Sequence, residues 1–230
     1  MWGMEKPTSD LDINEVYIMD SRDFLLQQTR RNREYKGKET YNGVERESDV
    51  QSCDLGNCVR EVLKGNVNYL WAVTSPIVVN EYRSVLRELR EIAIKTIAKN
   101  CFHSINGMAE HNIYHFITGT GSRTGKVRKG EKAPTREIDR NSLIYKKKLN
   151  TIGRSLKFGI NVFVWGKPMF EKVEITKEEE LWDLKNKLNE AYTHTFLPEK
   201  PDPVPFEKFL IKWRLKKMGM DDIINGGEEE

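Results

Sequence analysis

From Asp10 to Ile18 the chain alternates in the manner of a strand: Leu11 and Ile13 fall on one side, Asp10 and Asp12 on the other, and Val16 and Ile18 continue the apolar run. Pro7, Thr8 and Ser9 read as the turn that leads into it. Residues two apart on a strand face the same way, so two carboxylates are placed side by side beside a turn while their neighbours point into a core. Such a pair repels itself unless a cation sits between the two groups. Hard oxygen donors of this kind suit Mg²⁺ or Mn²⁺, which take one or two protein carboxylates and complete their shell with water and phosphate oxygens. Taken alone, an Asp-x-Asp is short, and an acidic, solvated strand start explains it at least as well.

At 230 residues the chain suffices for one large domain or two small ones. Its 32% charged and 38% hydrophobic residues contain no long apolar run, which excludes a membrane-crossing helix and predicts a soluble protein with no membrane partner. No basic segment followed by an apolar one opens the sequence, so no secretory signal is expected. Cys53, Cys58 and Cys101 are odd in number and form no Cys-x-x-Cys, which predicts a reducing, cytoplasmic setting rather than a disulfide framework. Residues 123–148 are strongly basic, carrying Arg123, Lys126, Arg128, Lys129, Lys132, Arg136, Arg140 and the run Lys146, Lys147, Lys148. A polyanionic partner such as RNA, or a solvated mobile loop, accounts for them. Residues 221–230 are acidic and expected to be disordered.

Along the chain, Ser21 reads as the cap of a short helix, and Thr29 to Glu47 as a polar surface loop or hairpin excursion. Ser48 to Cys53 reads as a short strand carrying a third carboxylate, Asp49, and Asp54 as the cap of a helix through Leu55, Cys58, Val59 and Val62. Gly65 ends that helix as its left-handed residue, and Tyr69 to Val73 follows as a buried segment. Glu81 to Lys99 is a clear amphipathic helix. A further helix from about Ile105 sets His111 and His115 one turn apart, a metal-compatible spacing that lacks a third ligand. The stretch Gly119 to Lys126 imitates a phosphate-binding loop but fails its pattern, since Thr120 stands where Gly is needed and Val127 follows Lys126. Helices through Lys147 to Phe163, from a Thr176/Glu179 capping box to Tyr192, and from Pro205 to Trp213 complete the chain.

Assembled, these segments resemble the nucleotidyltransferase superfamily that includes DNA polymerase β. The run Pro7-Thr8-Ser9-Asp10-Leu11-Asp12-Ile13-Asn14-Glu15-Val16-Tyr17-Ile18 is similar to a branch of predicted nucleotidyltransferases associated with RNA repair. Leu63 to Leu70 resembles that branch's Lys-Gly-Asn-Pro-Asn segment with Val67 in place of proline. Ile152 to Leu156 resembles its arginine-bearing helix, with Thr151 where a histidine is usual.

The resemblance implies an α+β fold: a nucleotidyltransferase-type mixed sheet flanked by helices, then a C-terminal helical region. The implied domains are a catalytic core at 1–100, a helical domain at 101–220 with a basic loop at 119–148, and the tail at 221–230. It also implies transfer of a nucleoside monophosphate from a nucleoside triphosphate to an acceptor hydroxyl, RNA being one acceptor. Asp10, Asp12 and Asp49 would be catalytic and would hold Mg²⁺ or Mn²⁺; Ser9, Asn66, Lys147 and Arg154 would contact nucleotide. The superfamily places a Gly-Ser pair shortly before its Asp-x-Asp, whereas Met1-Trp2-Gly3 stands just after that position. Either the sequence as given begins after that pair, which leaves an ordinary enzyme, or the protein lacks the pair and the strand before it, which suggests an impaired one; the alternative reading is an inactive nucleic-acid-binding or interaction protein on the same fold. The sequence leaves the oligomeric state open.

Overall fold

The computed structural model describes residues 10–27, 33–41, 43–78, 83–119 and 137–220. In chain order its elements are β1 (Leu11–Tyr17), α1 (Ser21–Leu25), β2 (Arg33–Tyr41), β3 (Val44–Asp54), α2 (Leu55–Leu63), α3 (Val67–Thr74), α4 (Arg83–Lys95), α5 (Cys101–Asn112), a π-helical turn (Ile113–Ile117), α6 (Leu143–Trp165), α7 (Glu178–His194) and α8 (Val204–Lys217). The architecture is the expected α+β one, a three-stranded mixed sheet with helices followed by a helical region. No helix among the described residues is long and apolar enough to cross a membrane.

Two compact units emerge, one of residues 4–96 with 201–230, the other centred on residues 97–200. In the first, the sheet order is β1-β3-β2, with β1 parallel and β2 antiparallel to β3. The polar excursion is therefore a hairpin whose arm β2 pairs along β3, and β3 begins at Val44, four residues before the expected start. Strand alternation then divides the sheet. Ser48, Val50 and Ser52 are buried on one face, while Glu45, Glu47, Asp49 and Gln51 are exposed on the other.

Asp54 caps α2 as anticipated, its Oδ2 accepting from the Gly56 amide at 2.8 Å. Leu55, Cys58, Val59 and Val62 make the buried stripe of α2, and Gly65, at φ 75°, supplies the left-handed exit that a side chain would strain. Tyr69 to Val73, expected as a buried segment, is the middle of α3, with Leu70 and Val73 buried. Asn66 caps that helix, its Oδ1 accepting from the Asn68 amide at 3.1 Å.

The helix α8 folds back onto the first unit, although it was expected to belong with the C-terminal helices. Phe206, Phe209 and Trp213 form its buried stripe, the Trp213 indole donates to Glu88 on α4 at 2.9 Å, and Arg214 pairs with Asp54 at 3.1 Å. An apolar stripe and two polar ties outweigh position in the sequence.

In the second unit α6 is the central helix. Ile152, Leu156, Phe158, Val162 and Phe163 are almost completely buried, meeting Ile105 of α5 and Leu181 and Leu188 of α7. Gly153 is there for close approach, since a Cβ at its position would stand 2.5 Å from Cγ1 of Ile175 and 3.1 Å from Cγ1 of Val173. Gly153→Val is expected to cost about 1–3 kcal/mol by overpacking, measurable by urea denaturation. An unchanged midpoint would show that the Ile175 segment yields freely. The capping box of α7 is closed by Glu180, not Glu179: Oε1 of Glu180 accepts from the amides of Thr176 and Lys177 and from the Thr176 hydroxyl. The helix begins one residue later than the pattern suggested.

Candidate active site

The register across the sheet decides which side chains meet. Asp12 on β1 lies opposite Asp49 on β3, and Asp49 in turn lies opposite Lys36 on β2. One step along, Asn14, Gln51 and Glu34 form the next row. Paired residues share a face and neighbouring strands are about 4.8 Å apart, so Asp12 and Asp49 stand side by side. Asp10, two residues before Asp12, belongs to the same face. All three are exposed.

This face is open at its Asp12 end and closed at the other. Val16 lies opposite Cys53, and α2 packs over β1 and β3 there. The Cys53 and Cys58 thiols are buried and hydrogen-bonded to each other, which lowers the pKa of Cys53 and raises that of Cys58. In the helical unit, burial pushes the Cys101 thiol up to about 12, against a backbone hydrogen bond that lowers it.

Asp49 also has a cation of its own: the Lys36 ammonium sits 3.3 Å from Oδ1, with both groups well exposed. An exposed pair of this kind contributes little to stability, but it offsets the repulsion between Asp12 and Asp49. Lys36 was missed because residues 29–47 read as a surface loop or a hairpin excursion, with no strand register to place it. The signal was present in the alternation of Glu34, Lys36 and Lys38 about Tyr35, which matches the polar alternation from Glu45 to Gln51.

The donor set fits a hard divalent cation, because it consists of oxygens from adjacent strands on an accessible face. Among the described residues no three His, Cys, Asp or Glu side chains are gathered around one point for a metal. Two protein carboxylates with water and substrate phosphates are nonetheless the usual complement for Mg²⁺. His111 and His115 stack with ring centroids 5.8 Å apart.

The remaining predicted residues are scattered. Ser9 lies outside the described residues, as do residues 120–136 of the basic stretch. Asn66 is occupied within the fold, capping α3 and donating from Nδ2 to Glu61 at 3.0 Å. Lys147 and Arg154 lie on α6, in the helical unit. Arg154 is half-buried, donating to the Asn150 carbonyl at 3.2 Å and the Thr151 hydroxyl at 3.1 Å, and burial lowers its pKa.

Glu61 is held below the usual carboxylate range, first by the hydrogen bond from Lys64 at 2.7 Å and then by that from Asn66. A pKa lowered on folding adds stability that is full above the unfolded value and is lost as pH falls through the folded one. Glu61→Gln is therefore expected to flatten part of the acid limb of a stability–pH curve below about pH 4.5. A limb of unchanged slope would remove Glu61 from it.

The described residues thus make an α+β protein with carboxylates on one open face of a mixed sheet and a helical region following. The model of the RNA repair pathway DNA polymerase beta family (RlaP) matches residues 1–147, and the chain belongs to that family. The chain is also similar to the uncharacterized protein MJ0002 of Methanocaldococcus jannaschii, 33% identical over 113 residues, 48% of this chain and 43% of that protein. The match thus spans less than half of the relative's length. No solved structure matches the chain.

Proposed function

We propose that this protein is a metal-dependent nucleotidyltransferase that moves a nucleoside monophosphate from a nucleoside triphosphate to an acceptor hydroxyl, with RNA as the favoured acceptor. The observation that carries the reading is the in-register pairing of Asp12 with Asp49 on an open face shared with Asp10. Family membership supports the same chemistry at the level of the fold.

In this reading Asp12 and Asp49, paired across the strands, with Asp10 on the same face, would hold Mg²⁺ or Mn²⁺, which would supply charge neutralisation at the entering and leaving oxygens. Asp10 and Asp12 would position the triphosphate, and Asp49 would help activate the acceptor hydroxyl by taking its proton. The acceptor oxygen bonds to the α-phosphorus as the bond to the pyrophosphate oxygen breaks, and pyrophosphate departs. Lys36 neutralises Asp49 before the substrate arrives. Lys147 and Arg154 are candidate phosphate contacts in their own right, and residues 123–148 a candidate RNA contact. Asn66 is better assigned to capping, since both ends of its side-chain amide are in use.

The test is incubation with each labelled nucleoside triphosphate, Mg²⁺ or Mn²⁺, and RNA ending in a free hydroxyl. Label gained by the RNA supports the reading, and no transfer with any nucleotide or metal would overturn it. The Lys36–Asp49 pair favours a second reading, a nucleic-acid-binding protein on the same fold in which the Lys36 ammonium, and not a metal ion, neutralises Asp49. That reading predicts salt-sensitive RNA binding that survives Asp10→Ala, with no transfer.

A further inference from the structure

Away from the carboxylate face, α4 presents two arginines one turn apart. Arg87 and Arg90 line a concavity of about 270 Å³, and among the described residues Pro76 and Val78, in the segment that follows α3, line it too. The helix is anchored by its other residues. Val85 and Leu89 are buried, and Glu88, which stands between the arginines in sequence, is committed to Lys212 at 3.0 Å and to the Trp213 indole at 2.9 Å.

Among the described residues neither Arg87 nor Arg90 forms an ion pair or side-chain hydrogen bond, and Glu91, one turn beyond Arg87, engages neither. A surface arginine is ordinarily solvated. These two differ in converging, at i and i+3, on a recess with an apolar wall.

Guanidinium groups three residues apart on a helix project from Cβ atoms about 5–6 Å apart. Two such forks can grip the oxygens of one tetrahedral anion. The recess falls just below the roughly 300 Å³ at which pockets for drug-sized ligands begin, so it suits a phosphate with its adjoining sugar rather than a larger ligand. Pro76 and Val78 offer the sugar an apolar surface, and Arg87 and Arg90 offer the phosphate its charge and donors.

We infer that Arg87, Arg90, Pro76 and Val78 form a second phosphate site that binds a nucleic-acid phosphate, distinct from the carboxylate face. The anion chemistry stands on these residues alone; the choice of nucleic acid as its source rests on the transferase reading. The site binds without a divalent cation, because its charge is supplied by the protein.

The test is fluorescence anisotropy of a labelled single-stranded RNA dodecamer in EDTA, carrying a 5′-phosphate or a 5′-hydroxyl, across a salt series. Arg87→Gln/Arg90→Gln, which removes both charges and keeps polar side chains on the helix, is expected to weaken binding by on the order of tenfold or more. It is also expected to lower the slope of log affinity against log salt by about 0.7. Lys208→Ala, an exposed charge on α8, is expected to change neither by more than about twofold. A loss confined to the 5′-phosphorylated RNA assigns the site to a chain end; a loss with both assigns it to an internal phosphate. Wild-type affinity and slope in the double variant, or an equal loss in Lys208→Ala, would overturn the inference. Because EDTA prevents transfer, this result is independent of whether the carboxylates catalyse.

Discussion

Asp12→Ala is expected to reduce nucleotidyl transfer by on the order of 10²–10³-fold, the scale seen when one group stabilising transition-state charge is removed. The same substitution is expected to leave the thermal midpoint unchanged or to raise it slightly. Asp12 is exposed on the open sheet face and forms no ion pair or side-chain hydrogen bond among the described residues. It also lies directly opposite Asp49. Like charges facing each other across strands are destabilising, so relieving the pair gains about 0.2–1 kcal/mol. Loss of transfer with an unimpaired midpoint separates chemistry from folding. Full activity in the variant removes the carboxylates from the mechanism, and a midpoint lowered by several degrees makes Asp12 structural.

The largest effect on stability is expected at Asp54. Its carboxylate is buried and accepts from the Gly56 amide at 2.8 Å, the Met19 amide at 3.2 Å and the Arg214 guanidinium at 3.1 Å, while Arg214 also lies over the Phe24 ring at 4.1 Å. Asp54→Ala removes the cap of α2 and leaves Arg214 without its counter-charge among packed side chains. Breaking a buried pair from one side costs about 3–5 kcal/mol, a fall in melting temperature on the order of 10 °C. Replacing both partners, as in Asp54→Asn/Arg214→Met, is expected to cost less than the sum of the single changes, because no unpaired charge is left. A midpoint within 1–2 °C of wild type in Asp54→Ala, roughly the shift of a surface substitution, would show that the pair is solvated in solution.

Most of the local structure was legible because it depends on short-range periodicity. The Asp10–Asp12 strand, the Asp54 cap, the stripe of α2, Gly65 as its exit and the apolar faces of α4, α6 and α7 are all written within one or two turns of chain. Where a local signal was weak, alternatives stayed open or a boundary slipped by a residue. Asn66, expected to contact nucleotide, caps α3. Residues 29–47, read as a surface loop or a hairpin excursion, hold the edge strand β2 of a hairpin. Glu179 resembled the capping partner that Glu180 proved to be, a difference of one residue that a pattern search does not resolve.

By itself, the sequence determined that Asp10 and Asp12 share a side and that Asp49 lies on a strand, since each follows from the geometry of one element. Only tertiary structure decided that β3 lies between β1 and β2 in a register that sets Asp12 beside Asp49 and Lys36. It likewise decided that Arg214, 160 residues from Asp54 in sequence, returns to close the first unit. Strand order and long-range ion pairs depend on which surfaces bury one another, and that competition is settled by the whole chain rather than by any window of it.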